Sequence, residues 1–112
     1  MPGFATAIDR YEHFFDHGSD VGATDEVAYE ALAVAFLSIA KPSHVLQCRR
    51  RKGDTVRFNP VSNEFGVIAV DGTVRTYYKP IRCVDLPPSL VGIKRCHNFS
   101  SHMDYYEDSC TK

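Results

Sequence analysis

The apolar residues of the chain change period at about Val45. Before it they recur every three to four positions, the spacing of one helix face. After it they alternate, the spacing of a strand with one face buried. "TDEVAYEALAVAFLSIAKP" is the clearest helix, with Ala28, Leu32, Ala35, Phe36 and Ile39 forming one stripe. Thr24 is placed to cap it, Asp25 and Glu26 put negative charge where the helix dipole favours it, and Pro42 stops it. An earlier helix is predicted over Ala5 to Asp16, turning Ile8, Tyr11, Phe14 and Phe15 inward and closed by Gly18.

Four strands follow: "VLQCRRR", "TVRFN", "EFGVIAV" and "TVRTYYK". Lys52-Gly53-Asp54 turns between the first two, "NPVSN" loops to the third, and Asp71-Gly72 is a two-residue hairpin signal. Pro80 stops the pairing, Pro87-Pro88 marks a loop, and "SSHMDYYEDSC" closes the chain as a short helix. The fold class is α+β: two N-terminal helices packed on a twisted antiparallel sheet of about four strands, with a short C-terminal helix, in one domain spanning 1–112.

The turns fix a register. Val70 opposes Thr73, Ile68 opposes Arg75, Gly66 opposes Tyr77, and Arg57 opposes Gly66 across the preceding loop. Arg57, Gly66 and Tyr77 then form one row, with Thr55, Arg75 and Lys79 on its face. Val56, Phe58, Phe65, Val67, Ala69, Val74 and Tyr78 point the other way, towards the helices, with Thr76 as the odd polar member. The row is either an ordinary solvated face or a bare glycine patch ringed by cations and an aromatic, a seat for a phosphate and a base. In this register Thr76 and Arg57 lie on opposite faces. A bulge at Gly66 would bring them together.

Composition narrows the choice little. The 112 residues are 44% hydrophobic and 24% charged, with a formal net charge of -1, which fits a globule without a uniformly basic surface. Charge is segregated all the same, "CRRRKGDTVR" being basic and "DYYEDSC" acidic. No apolar run reaches the roughly 20 residues of a membrane span. The first residues lack the basic start and apolar stretch of a signal peptide, so export requires another route or a larger parent chain. Cys48, Cys83, Cys96 and Cys110 show no CxxC spacing, so zinc is not expected. Mostly free thiols are expected, with a Cys96–Cys110 disulfide or another pairing left open.

Two stretches together, "HGSDVGATDEVAYEALAVAFL" and "GDTVRFNPVSNEFGVIAVDGTVRTYYKP", resemble the C-terminal toxin domains of bacterial polymorphic and contact-dependent inhibition systems. These belong to the barnase–EndoU–colicin–RelE superfamily of metal-independent ribonucleases. The tail "HNFSSHMDYYEDSC" is similar to the family's closing segment, with Ser101-His102 in place of a Thr-Asn pair. Val21 stands where an aromatic is usual, and Ile81 to Arg95 has no counterpart.

The resemblance implies an endoribonuclease without a cofactor, with His17, Arg57 and Thr76 as catalytic residues. It also implies tRNA or another structured RNA as substrate, delivery within a larger effector, action in the target-cell cytoplasm, and a cognate immunity protein, acidic where it meets the basic row. Some relatives also work with a translation factor. Arg75 and Lys79 flank Thr76 as phosphate contacts, and Tyr77 can stack a base. Arg49 and Lys52, in the basic run, can guide the RNA backbone. The chemistry suits these groups: histidine titrates near working pH, arginine offers a two-pronged donor, and a threonine hydroxyl can donate to a phosphoryl oxygen. His13, one turn before His17, lacks a third partner for a metal site. His44, His97 and His102 have no assigned partner. The competing reading is a non-catalytic RNA- or protein-binding module, which needs cations but no histidine.

Overall fold

The computed structural model describes residues 3–38 and 40–112. In chain order the elements are β1 (Gly3–Phe4), α1 (Ala7–His17), α2 (Glu26–Ser38), β2 (Leu46–Arg49), β3 (Thr55–Phe58), β4 (Phe65–Ile68), β5 (Thr73–Tyr78) and α3 (His102–Cys110). Short 3-10 turns at Gly18–Val21, Cys83–Asp85 and Pro88–Leu90 join them. The fold is α+β. Its sheet has the order β1-β5-β4-β3-β2, so the four expected antiparallel strands gain a fifth, β1, which pairs parallel to β5. The sheet is therefore mixed. Two residues of strand carry no period, which is why pattern alone missed β1.

Thr6 caps α1, its hydroxyl accepting from the Asp9 N–H at 3.0 Å. Asp25, not Thr24, caps α2, its carboxylate accepting from the Ala28 N–H at 2.7 Å. The expected register holds at its centre, where Arg57 pairs with Gly66 and Gly66 with Tyr77. A bulge falls between Val67 and Ile68, so Ile68 pairs with Val74, and Arg75, expected opposite Ile68, is the extra residue. The bulge carries Val74 onto the face of Tyr77. Arg75 is exposed and pairs with the Asp54 carboxylate at 3.0 Å.

Both faces of the sheet are covered, and α2 sits on the face opposite to the one expected. Tyr29, Ala33 and Leu37 of α2 pack on Val74 and Tyr77, with Phe4, Phe14 and Ile68 around them. The Arg57–Gly66–Tyr77 row thus lies under α2. Gly66 is not a bare patch, since a Cβ there would stand 3.0 to 3.2 Å from Leu37 side-chain atoms. It is a glycine because the helix comes that close. Val56, Phe58, Phe65 and Val67 form the second cluster, closed by Tyr106 of α3. The closing helix is thus one of the two layers that cover the sheet.

The buried stripe on α2 is Tyr29, Ala33 and Leu37; of the expected set Phe36 packs beside it, while Leu32 is 39% exposed. Ile39 lies outside the described residues. On α1 the departure is larger. Ile8, Tyr11 and Phe15 are 72%, 52% and 76% exposed, and Phe14 alone of the expected four packs on the core. The inward side of α1 is instead polar: Arg10 pairs with Glu26 at 2.9 Å and Glu30 at 3.5 Å, and His13 stacks on Phe4. Two disulfides, Cys48–Cys110 and Cys83–Cys96, replace the expected free thiols. Among the described residues no helix is long and apolar enough to cross a membrane.

A candidate active site between α1 and β5

β1 pairs only with Thr73 and Val74, so β5 becomes an open edge from Thr76 onward. The C-terminal turn of α1 closes on that edge. A groove of about 230 Å³ lies between them, lined by His13 and His17 from α1, Thr76 and Tyr78 from β5, and Arg95 and His97 from the loop before α3. Glu12 and Asp16 form its outer rim on α1. His13 and His17 share it because residues four apart lie on one side of a helix. Thr76 and Tyr78 share it because residues two apart lie on one side of a strand.

His17 is held on two sides. Its ring stacks on Tyr78, centroids 4.6 Å apart and planes 21° from parallel. Its Nδ1 lies 3.5 Å from a carboxylate oxygen of Asp20, whose side chain is 9% exposed. Asp20 also forms an ion pair with the Lys94 ammonium. Burial alone would push the Asp20 carboxyl up, but hydrogen bonds from His17 and Lys94 outweigh it and hold the group below its ordinary range. With Nδ1 turned to Asp20, Nε2 is the nitrogen free to act on a ligand. Gly18 makes the tight exit from α1 possible, as a Cβ there would stand 2.5 Å from the Phe14 ring.

Lys94 also ties the neighbouring loop to the site, because it donates to the Asp16 carbonyl at 3.3 Å. Arg95 and His97 flank Cys96, which is bonded to Cys83. The His97 N–H donates to the Ile81 carbonyl at 2.8 Å, and the Cys83 N–H donates to the His97 carbonyl at 2.9 Å. The His97 ring lies nearly parallel to Tyr78, with centroids 6.0 Å apart. Burial pulls the His97 pKa down, helped by Arg95 and His17, and burial also lowers His13 against the opposing pull of Asp9. Burial raises the Tyr78 hydroxyl, which is hydrogen-bonded to Tyr105, so it stays a neutral donor or acceptor.

The structure brings His17 and Thr76 together and leaves the other expected residues elsewhere. Arg57 lies on the α2 face, where it donates to the Phe36 carbonyl at 3.0 Å and to Gln47 at 2.7 Å. The bulge does not join it to Thr76, since it falls beyond the Arg57–Gly66 pairing. Tyr77 cannot stack a base: it is 1% exposed, its carbonyl accepts from the Tyr29 hydroxyl, and its own hydroxyl donates to Glu64. Arg75 belongs to Asp54, and Lys79 lies past the end of β5, outside the groove lining. Arg49 and Lys52 sit on or beside β2, three strand positions from β5, or about 14 Å at the usual strand spacing. Arg95, His97 and Asp20 are the site residues that sequence reasoning missed. "HGSD" did hold a usable signal, because Asp20 at three residues past His17 is within reach of its ring.

Among the described residues, no group of three or more His, Cys, Asp or Glu is arranged to hold a metal ion. No protein-family model and no curated protein matches this chain.

Proposed function

We propose that the domain is a metal-independent endoribonuclease that acts by proton transfer and electrostatic stabilisation. One observation carries the reading: a histidine oriented by a largely covered carboxylate faces the same groove as two further histidines, an arginine and a threonine hydroxyl. That is the set which attack of a ribose 2′-OH on the adjacent phosphate requires. His17 Nε2 takes the 2′ proton while the 2′-oxygen forms its bond to phosphorus. The bond from phosphorus to the 5′-oxygen breaks, and a protonated His97 supplies the proton that the leaving oxygen needs. Burial, Arg95 and His17 hold the His97 pKa below its ordinary value, so it is the minor, charged form of the ring that gives this proton. Arg95 and Thr76 donate to the non-bridging oxygens as charge builds there. The products are a 2′,3′-cyclic phosphate and a 5′-hydroxyl.

The toxin role, a structured RNA such as tRNA as substrate, delivery as part of a larger effector and action in a target-cell cytoplasm rest on the sequence resemblance. A cognate immunity protein belongs to the same reading, and so does a translation factor as helper. The exposed Ile8, Tyr11 and Phe15 on α1 favour a protein partner beside the groove. Such an inhibitor would meet an apolar stripe and reach Arg95, instead of covering the Arg57 row. The same stripe favours the second reading, a protein-binding module without catalysis. Incubating the purified domain with labelled tRNA in excess EDTA, and mapping the ends formed, separates the two. Cyclic phosphate ends are expected, and intact RNA at high enzyme concentration would leave the binding module.

A further inference from the structure

A second hollow, of about 450 Å³, opens on the far side of His97. His97 lines both this hollow and the groove. Tyr105, on its wall, shares a hydrogen bond with Tyr78, which lines the groove. The two spaces are therefore neighbours across one wall, and the volume is within the roughly 300–1,000 Å³ typical of small-ligand pockets. We propose that this hollow is the base subsite of the substrate, taking the nucleobase next to the scissile phosphate and preferring bases with an exocyclic amine. The proposal rests on the ribonuclease reading for what lies in the groove.

Phe99 and Tyr105 supply aromatic surface, with ring centroids 5.0 Å apart, and the His97 ring meets Tyr105 edge-on at 5.2 Å. Single-stranded bases are held on such surfaces, with hydrogen bonds to their edges setting the choice. Two carboxylates of the lining, Asp104 and Asp108, are one turn apart on α3. Asp104 is fixed by accepting from the Ser100 hydroxyl, and Asp108 lies 3.5 Å from the Lys112 ammonium. The carboxylates alone would mark nothing. Aromatic walls and a shared catalytic histidine make them the polar end of a base pocket.

Asp104 and Asp108 set two carboxylates at that end against the one ammonium of Lys112, which also lines it. The balance there is negative, so an amine on a neutral base can donate to the carboxylates where a phosphate is disfavoured. Guanine, adenine and cytosine carry an exocyclic amine, whereas uracil has carbonyls at positions 2 and 4 with a single N3–H donor between them. Cytosine and uracil are close in size and differ only along one edge, where cytosine has an amine at position 4 and an acceptor at N3, and uracil a carbonyl at position 4 and a donor at N3. That pair isolates the polar contact from stacking.

The test is an NMR titration of the isotope-labelled 112-residue chain with cytidine 3′-monophosphate and uridine 3′-monophosphate. Cytidine 3′-monophosphate is expected to bind about fivefold to tenfold more tightly, the low end of one hydrogen-bonded base discrimination because the carboxylates are solvent-exposed. Shifts should centre on Asn98, Phe99 and Asp104. Asp104→Asn with Asp108→Asn should bring the ratio close to one, and Phe99→Ala should weaken both ligands alike. Equal affinities, shifts confined to the α1 groove, or no binding at millimolar ligand would overturn the subsite, and RNA cleavage would then still stand or fall by its own assay. A cytosine preference without any RNA cleavage would keep the subsite and remove the nuclease.

Discussion

The two disulfides should separate stability from activity. Cys83–Cys96 closes a segment of 13 residues and Cys48–Cys110 one of 62. Loop-closure entropy gives about 3 kcal/mol for the first and about 4 kcal/mol for the second. Against a total stability of about 5–15 kcal/mol for a domain, either loss alone leaves a folded protein, and both together bring it to the margin. Their placement differs more than their energy. Cys96 lies between Arg95 and His97, while Cys48–Cys110 joins β2 to the end of α3, with β2 at the other end of the strand order from the groove. Urea unfolding of Cys83→Ser/Cys96→Ser and Cys48→Ser/Cys110→Ser should show the larger loss in the second variant. RNA cleavage per folded molecule should reverse the order. The loop variant should lose roughly 10²-fold, the scale of an ångström of misplacement, and the other should keep the parent rate. A loop variant that cleaves as the parent does would show that the Ile81 and Cys83 backbone bonds and the Lys94–Asp20 pair hold the loop unaided.

Gly66→Val should destabilise the fold by about 1–3 kcal/mol, because its Cβ meets Leu37, and unchanged urea stability would refute the packing of α2 on the sheet. Asp20→Asn should lower the cleavage rate roughly 10²-fold with little change in RNA affinity; an equal fall in both would mean Asp20 supports binding instead of orientation. His13 and His97 titrate below their ordinary value because of burial. The unfolded chain therefore takes up protons first as pH falls through about 6.5, and their contribution to stability declines from there down to their folded values. Urea melts of parent and His97→Gln between pH 7.5 and 5.5 should converge as the pH drops, and parallel curves would count against a half-buried His97 that folding keeps mostly neutral. Over the same range RNA binding should tighten as the groove gains charge, which a filter-binding series can read.

The strands were legible because alternation and the Asp71-Gly72 turn are local signals, and the pairing of Arg57, Gly66 and Tyr77 followed from them. Which face each helix covers was not legible. The α2 sequence is apolar nearly all round, so its periodicity does not single out Tyr29, Ala33 and Leu37. On α1 the apolar stripe faces out, because the helix packs against Glu26, Glu30 and a polar groove, where Arg10, His13 and His17 find partners. The bulge at Val67 reassigned Val74 and Arg75, and nothing in four good strand formers announces an extra residue. Within the site, His17 and Thr76 could be named from the chain. Arg95 and His97 could not, since they reach the groove through a disulfide and an ion pair made by distant residues.

The most direct measurement compares cleavage of one RNA by the parent, His17→Ala and Arg57→Ala under saturating enzyme. If the groove between α1 and β5 is the active site, His17→Ala should fall by roughly 10²- to 10⁴-fold, the contribution of one acid–base group, while folded Arg57→Ala keeps the parent rate. A His17→Ala protein that cleaves as fast as the parent, or an Arg57→Ala protein that does not cleave, would contradict the assignment and return the search to the α2 face.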